Sequence, residues 1–432
     1  MATVLERARL GRSFGWLWSA YAVSAYGTGL GFGAFSYVAI TVLGASAGEV
    51  SALSVAGLAA GAVLAVPLGP WVEFRRKRPV MITMDLARFL ALATIPLALW
   101  LGVLTLVQLL VVSVVTAAAK IAFNAASGSY LKGLVPPEHL LTASSRFEST
   151  TWSATVVGPV VGGAAMGVIG PVATVLADAA SYLLSALGIT AIRGDEPAVP
   201  TRAERTRFAD LLLGWRWIWA DRTLRRVFLN VVAVNALIMA AEPLLTFMML
   251  GPLGFPPWQY GLAFALPCLG GLVGSRLARR VVARYGQTAV LLRLGAVRAL
   301  WPIGLAFVRP GWSGLVIVMA VELALIGCIS LHNPVVGTYR MQVVDPDRLA
   351  RVLAAWSVTT SAGIAAVTAL WGVLATVTSP RVGIAAAGVL LLATPALLPR
   401  RGKPPTQPAG SQARTASQSS STAPALSSRS TG

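Results

Sequence analysis

The chain has 432 residues, 56% of them apolar and another 42 glycine, and only 12% are charged. A soluble domain carries about 25% charged residues, so the composition excludes an ordinary cytosolic enzyme. The charges are lopsided, 35 Lys+Arg against 16 Asp+Glu for a net of +19, but a nucleic-acid partner would leave the apolar excess unexplained.

Membrane-spanning helices do explain it, since twelve spans of about 20 residues would occupy about 240 positions. In chain order, apolar runs fall near 15–43, 48–70, 80–101, 104–126, 147–168, 171–191, 227–249, 258–277, 287–307, 312–334, 352–377 and 382–398. The first follows Arg7, Arg9 and Arg12, as a signal peptide's apolar region would. It is too long for that role and eleven runs come after it, so it reads as a retained first helix.

The basic residues between runs set the orientation. With both termini cytoplasmic, 29 of the 35 Lys+Arg lie on the inner side and two, Arg309 and Arg381, on the outer. The other four, Arg88, Lys120, Arg293 and Arg298, fall within runs. Such a partition is a strong positive-inside signal, and one missed or invented helix would scramble it. The expectation is an all-α membrane protein with twelve transmembrane helices and cytoplasmic termini.

The longest internal polar stretch, 193–226, divides the runs six and six. The halves share a pattern: Tyr130, Pro137, Glu138 and Leu140 match Tyr339, Pro346, Asp347 and Leu349 at a constant offset of 209. Parallel repeats about an axis normal to the membrane are a transporter architecture, with the substrate site between the halves near the midplane. Four segments follow: an N-terminal half at 1–192, a cytoplasmic linker at 193–226, a C-terminal half at 227–400 and a tail at 401–432. In the linker Phe208, Leu211, Leu212, Trp215 and Ile218 or Trp219 recur at helical spacing, which fits an amphipathic helix in the interface. The basic, Ser/Thr/Pro-rich tail has no acids and almost no large apolar residues and should be disordered.

The loop from Gly69 to Arg78, with Glu73, Arg75, Arg76 and Lys77, resembles motif A of the major facilitator superfamily. That motif has an Asp-Arg pair where this chain has Glu73 and Phe74. The resemblance implies a charge lock, which Asp85 and Arg88 would extend, holding one end of a transporter closed. Gly158, Pro159, Gly162 and Gly163 resemble the end of motif C, the antiporter motif. Glycine permits close helix contact and proline bends the helix, so a hinge or sealing interface is the physical reading. A packing helix that is merely kinked is the bland one. The run from Gly254 to Gly286 resembles bacterial efflux-type members, the group of macrolide and siderophore exporters. What the resemblance implies is proton-driven export, with the first, fourth, seventh and tenth spans lining a cavity.

Charges inside spans cost a few kcal/mol unless paired or wet. Glu242, Glu322 and Lys120 fall on expected cavity spans and are candidates for proton or substrate work. Tyr21, Tyr26 and His332 are weaker candidates on the same spans. Asp178, Arg293 and Arg298 fall on peripheral spans, where structural pairing is expected. Cys268 and Cys328 lie in apolar runs and the only histidines are His139 and His332, so no metal site or cofactor is indicated. No phosphate-binding Gly-x-x-x-x-Gly-Lys run appears, and no nucleophile–base constellation marks an enzyme.

The leading function is therefore a monomeric transporter of the bacterial inner membrane. It would export small amphipathic molecules by alternating access in exchange for protons. A nutrient importer or facilitator on the same fold, and a transporter-like receptor or scaffold, are the alternatives. The partners expected are the lipid bilayer, a small-molecule substrate and protons.

Overall fold

The computed structural model describes residues 2–136, 139–192, 196, 208–344 and 346–399, with side chains omitted at further positions that include Gly69 and Glu73. Residues Met1–Leu398 form one compact unit. The expected tail, apart from its predecessor Pro399, lies outside the described residues.

Every apolar run falls on helix, and no strand occurs among the described residues. The first run is split between α1 (Ala2–Leu30) and α2 (Ala34–Thr41). Then come α3 (Ala47–Glu73), α4 (Lys77–Trp100), α5 (Leu106–Leu134), α6 (Leu140–Val168) and α7 (Pro171–Thr190). The linker forms α8 (Phe208–Ala220). The remaining helices are α9 (Arg222–Leu250), α10 (Pro257–Tyr285), α11 (Gln287–Val297), α12 (Trp312–Val343), α13 (Pro346–Val377) and α14 (Pro380–Ala393). Short 3₁₀ turns at Pro302–Phe307 and Thr394–Leu397 complete the ninth and twelfth runs.

Among the described residues nine helices are long and apolar enough to cross a membrane, and ten if α10, bent by 48° between Pro257–Gly271 and Arg276–Tyr285, counts as one span. The first run is interrupted at Gly33, at φ 77°, and is not among them. The described part of the second contributes a shorter apolar helix, Ala47–Gly61.

Local chemistry sets the helix ends. Ser46 and Glu49 form a reciprocal capping box at the start of α3: the Ser46 N–H donates to Glu49 Oε2 at 2.7 Å and the Glu49 N–H to Ser46 Oγ at 3.4 Å. Thr105 and Ser379 accept from the first-turn amides of α5 and α14. Asp221 accepts from the N–H groups of Thr223 and Leu224, so α9 starts at Arg222, earlier than the apolar run by itself indicates. Tyr130 and Tyr339, the repeated pair, are both buried near the C-terminal ends of α5 and α12.

The linker helix α8 docks on α13 and α9. Gly214 lies so close to α13 that a Cβ there would stand 2.3 Å from the Arg351 carbonyl oxygen. Ile218 is fully buried, and the Trp215 indole donates to Thr359 Oγ1 at 2.8 Å. Trp219 remains half exposed. Of the apolar face expected of this segment, Trp215 and Ile218 are thus used in packing, and Phe208, Leu211 and Leu212 lie outside the described side chains.

Helices before the linker meet helices after it through α6 with α10 and α3 with α13. Both crossings are made by glycine. A Cβ on Gly163 would lie 2.5 Å from the Pro257 carbonyl oxygen, and one on Gly261 2.1 Å from the Pro159 carbonyl oxygen. At the other crossing a Cβ on Gly48 would meet the Thr376 methyl at 2.4 Å, and one on Gly372 would meet Ser51 at 2.8 Å. Gly158 and Gly162 do the same for α6 against Gly29 and Leu30 of α1. Backbones can approach this closely only where no side chain intervenes.

Two glycines of α6 test this contact. Gly163→Ala should lower stability by about 1–3 kcal/mol, because a methyl group in a backbone contact forces the helices apart. Gly167→Ala, where a Cβ would meet nothing within 4 Å, should be neutral or slightly stabilising from helix propensity. Thermal melting of the purified variants in detergent measures the difference.

Candidate functional site

A cavity of about 640 Å³ lies between the two groups of helices. From α1 come Tyr21, Ser24 and Thr28, and Phe32 from the turn that follows it; from α5, Lys120, Phe123 and Asn124; from α6, Thr151, Thr155 and Pro159. The facing wall is built from Ile238, Met239, Glu242 and Leu245 of α9, Phe264 and Cys268 of α10, and Glu322, Leu325, Ile326 and Ile329 of α12. The four expected cavity spans all contribute. Helices α4, α6 and α10 contribute as well, through Arg88, Thr151, Thr155 and Pro159, and Phe264 and Cys268.

The walls differ in chemistry. On α9 and α12 the surroundings are aliphatic, with two carboxylates, Glu242 and Glu322, close enough to feel each other's charge. On the facing wall the polar groups are hydroxyls, an amide and two cations. Tyr21 Oη and Thr151 Oγ1 are 2.7 Å apart, fixing the tyrosine at the cavity edge. Lys120 and Asn124, one helical turn apart, share a face of α5.

Behind this wall sits a network that spacing alone did not reveal. Arg88 of α4 pairs with Asp85 one turn earlier, both almost wholly buried. The Arg88 guanidinium lies between two rings, 4.8 Å from the centre of Phe123 and 4.3 Å from that of Tyr182. Tyr182 Oη is 2.7 Å from Thr28 Oγ1, which reaches the cavity. Asp178, one turn before Tyr182 on α7, is in electrostatic contact with both Arg88 and Lys120. It lies against a glycine face of α1: a Cβ on Gly31 would be 2.7 Å from Asp178 Oδ2. Asp178 therefore belongs to a charged cluster adjoining the cavity rather than to an isolated peripheral pair. The signal in the sequence was the polar face of the sixth run opposite glycines four apart in the first, Gly27 and Gly31.

The other candidates lie elsewhere. Tyr26 Oη bonds Ser153 Oγ at 2.8 Å and does not line the cavity. His332 is buried one turn beyond Ile329 on α12 and faces α11, where a Cβ on Gly295 would lie 3.3 Å from its Nε2. Arg298 is buried and donates to Asn230 Oδ1 at 2.8 Å, while Asn230 Nδ2 donates to the Thr394 carbonyl at 2.9 Å. This chain of bonds ties the end of α11 to α9 and the last turn of the compact unit. Arg293 is exposed. Among the described residues no group of three or more His, Cys, Asp or Glu could hold a metal ion.

A helical bundle around a largely apolar cavity that holds a few charges carries several functions, and comparison with known proteins separates them. The family profile described as Major Facilitator Superfamily matches residues 17–331. The chain belongs to this superfamily. Among curated proteins it is 27% identical over 293 residues to the multidrug efflux pump Tap of Mycobacterium tuberculosis, covering 63% of this chain and 67% of that one. It is 26% identical over 344 residues to Tap of Mycolicibacterium fortuitum, covering 75% and 79%. Among solved structures it superposes on the nucleoside transporter NupG with a TM-score of 0.72 at 13% identity, covering 90% of this chain and all of that one. A bacterial homologue of ferroportin gives a TM-score of 0.65 at 15% identity, covering 88% and 98%. The protein is thus a multi-pass membrane transporter of small molecules, not an enzyme.

In this transporter the basic cluster of the motif A region is tied to backbone groups and to Glu196. Glu73 and Gly69 lie outside the described side chains. The carboxylate found at the basic cluster is Glu196, just past α7: it accepts from the backbone N–H groups of Lys77 and Arg78 at the start of α4, a favourable place for an anion. Lys77 Nζ donates to the carbonyl oxygens of Val72 at 3.0 Å and Arg75 at 2.6 Å, and Arg78 donates to that of Ile192. Arg75 stacks on Trp71 at 4.8 Å. The Asp85–Arg88 pair turns away toward Phe123 and Tyr182 and reaches the cavity instead.

The buried pair gives a stability test. Removing one partner of a buried ion pair costs about 3–5 kcal/mol, whereas replacing both with apolar residues is near neutral. Asp85→Leu and Arg88→Met should each lower the melting temperature of the purified protein, and the double variant should recover most of the loss.

Proposed function

We propose that this protein is an exporter of small amphipathic molecules that exchanges them for protons by alternating access. The observation that carries this reading is the placement of Glu242 and Glu322 on separate helices facing one cavity in an aliphatic wall. Carboxylates in such a place bind either a proton or a cationic group, and that exclusivity is what antiport requires. The efflux pumps named above support the outward direction. The likeness to a nucleoside transporter supports the importer alternative, but only through shared fold.

The proposal includes the membrane arrangement. Twelve spans in two six-helix halves, 1–192 and 227–400, are joined by the 193–226 linker and followed by the 401–432 tail, with both termini in the cytoplasm and the protein in the bacterial inner membrane as a monomer. The basic-residue partition and the Tyr130/Tyr339 repeat support this. The glycine crossings of α6 with α10 and α3 with α13 then lie at the external end. The conformer described here is sealed outside by glycine contacts and by Phe32 stacked 5.7 Å from Tyr260. It offers its cavity to the cytoplasm. Motif A, on the cytoplasmic side, would close in the opposite conformer. Glu242 or Glu322 releases a proton inward, substrate enters, the halves rock, and protonation from outside displaces the substrate.

Purified protein in liposomes with an imposed pH gradient tests this. Substrate flux should follow the gradient and collapse when it is dissipated. Glu242→Gln and Glu322→Gln should each reduce gradient-driven flux by about 100-fold, the cost of losing an interaction of about 3 kcal/mol. Flux that ignores the gradient, or is unchanged in both variants, removes the coupling claim. Cysteine labelling from either side at positions near residues 44 and 310 tests the orientation, with external access expected at both.

A further inference from the structure

The charges of the cavity are segregated, and this constrains what fits inside. Glu242 and Glu322 stand on the α9/α12 wall, and Lys120 stands on the α5 wall, exposed to the space. Asp85 is taken by Arg88 in a direct ion pair, and among the described residues no such pair engages Lys120. Of the charges near it, Arg88 repels it and is held by Asp85, and Asp178 attracts it without a direct ion pair. Asp178 is itself held against the glycine face of α1 and buried. An ammonium inside the membrane that makes no ion pair is costly unless water or a ligand meets it. Its cavity neighbour Asn124, one turn along α5, carries N–H donors that suit the same ligand group, whereas the hydroxyls of Thr151 and Thr155 already donate to the Phe147 and Thr151 carbonyl oxygens. Across the space, Ile238, Met239, Leu325, Ile326 and Ile329 surround the carboxylates and suit an aromatic or alkyl body.

We infer that the cavity selects dipolar amphiphiles: molecules with a cationic group for Glu242 and Glu322, an anionic group for Lys120, and an apolar body between. A simple lipophilic cation would satisfy one wall and leave the ammonium of Lys120 unmatched; a simple anion would face two carboxylates. This inference rests on the reading of this space as the substrate cavity. It does not require proton coupling.

The test uses rhodamine B, which carries a delocalised cation and a carboxylate, against its ethyl ester, which keeps the cation and removes the anion. Fluorescence anisotropy with the full-length protein in nanodiscs measures both affinities. The wild type should bind rhodamine B about tenfold more tightly than the ester, the worth of one hydrogen bond to a charged group. Lys120→Gln should bring the ratio close to one through weaker rhodamine B binding, while continued ester binding shows the cavity intact. Lys120→Arg should keep the preference. Equal or tighter binding of the ester by the wild type overturns the inference. So does a preference that survives Lys120→Gln, or no binding of rhodamine B at all. Transport of the ester in the pH-gradient assay is scored separately. If the ester is exported on the gradient without any zwitterion preference, the substrate class fails and proton-driven export stands. If the preference is present but flux ignores the gradient, only the coupling fails.

Discussion

A charge placed in hydrocarbon must be paired, wetted or given a ligand, and this constraint orders most of the interior. Asp85 and Arg88 satisfy it by direct pairing, with aromatic rings closing over the guanidinium. Arg298 satisfies it through Asn230, whose amide reaches on to the Thr394 carbonyl. Lys120, Glu242 and Glu322 satisfy it by facing a cavity. The groups with internal partners hold the fold. The others depend on the cavity's contents, so the division among the charges follows from what each side chain has to meet.

The second organising feature is the absence of side chains where helices cross. Gly163 against Pro257 and Gly261, Gly158 against Gly29, and Gly48 against Gly372 bring backbones together at one end of the bundle. Helices in lipid gain nothing from excluding one another's apolar surface from water, so close van der Waals contact has to hold them. Such contacts are tight but carry few interlocking side chains. The same lack of side chains on Gly27 and Gly31 lets Asp178 sit against α1, so the glycine face of one helix admits the charge of another.

Much of this was legible in the chain. Helix positions follow from hydropathy, and Glu242, Glu322 and Lys120, which all line the cavity, stand out as rare charges in apolar runs. Arg298, expected to have a structural partner, donates to Asn230, which carries no charge. Other residues were misjudged by spacing. Asp178 looked peripheral because its span is peripheral, yet a residue on an outer helix can point inward through a gap left by glycine. Arg88 looked like an extension of the motif A loop three turns earlier, yet its side chain turns to Phe123, Tyr182 and the cavity. Tyr26 and His332 sit on cavity helices but on other faces of them, because a helix exposes only one stripe to a given space.

The sequence by itself determined that this is a helical membrane protein, through the amount and periodic placement of apolar residues, and it marked which charges are expensive. Those properties are local, since the solvent meeting each segment is the bilayer whatever the tertiary arrangement. Only the tertiary structure decided which charges meet. The partnering of Asp85 with Arg88, the exposure of Lys120 to the cavity and its separation from the two glutamates depend on helix rotation and crossing. Those are fixed by contacts between residues more than a hundred positions apart, such as Pro159 with Gly261, and no local pattern encodes them.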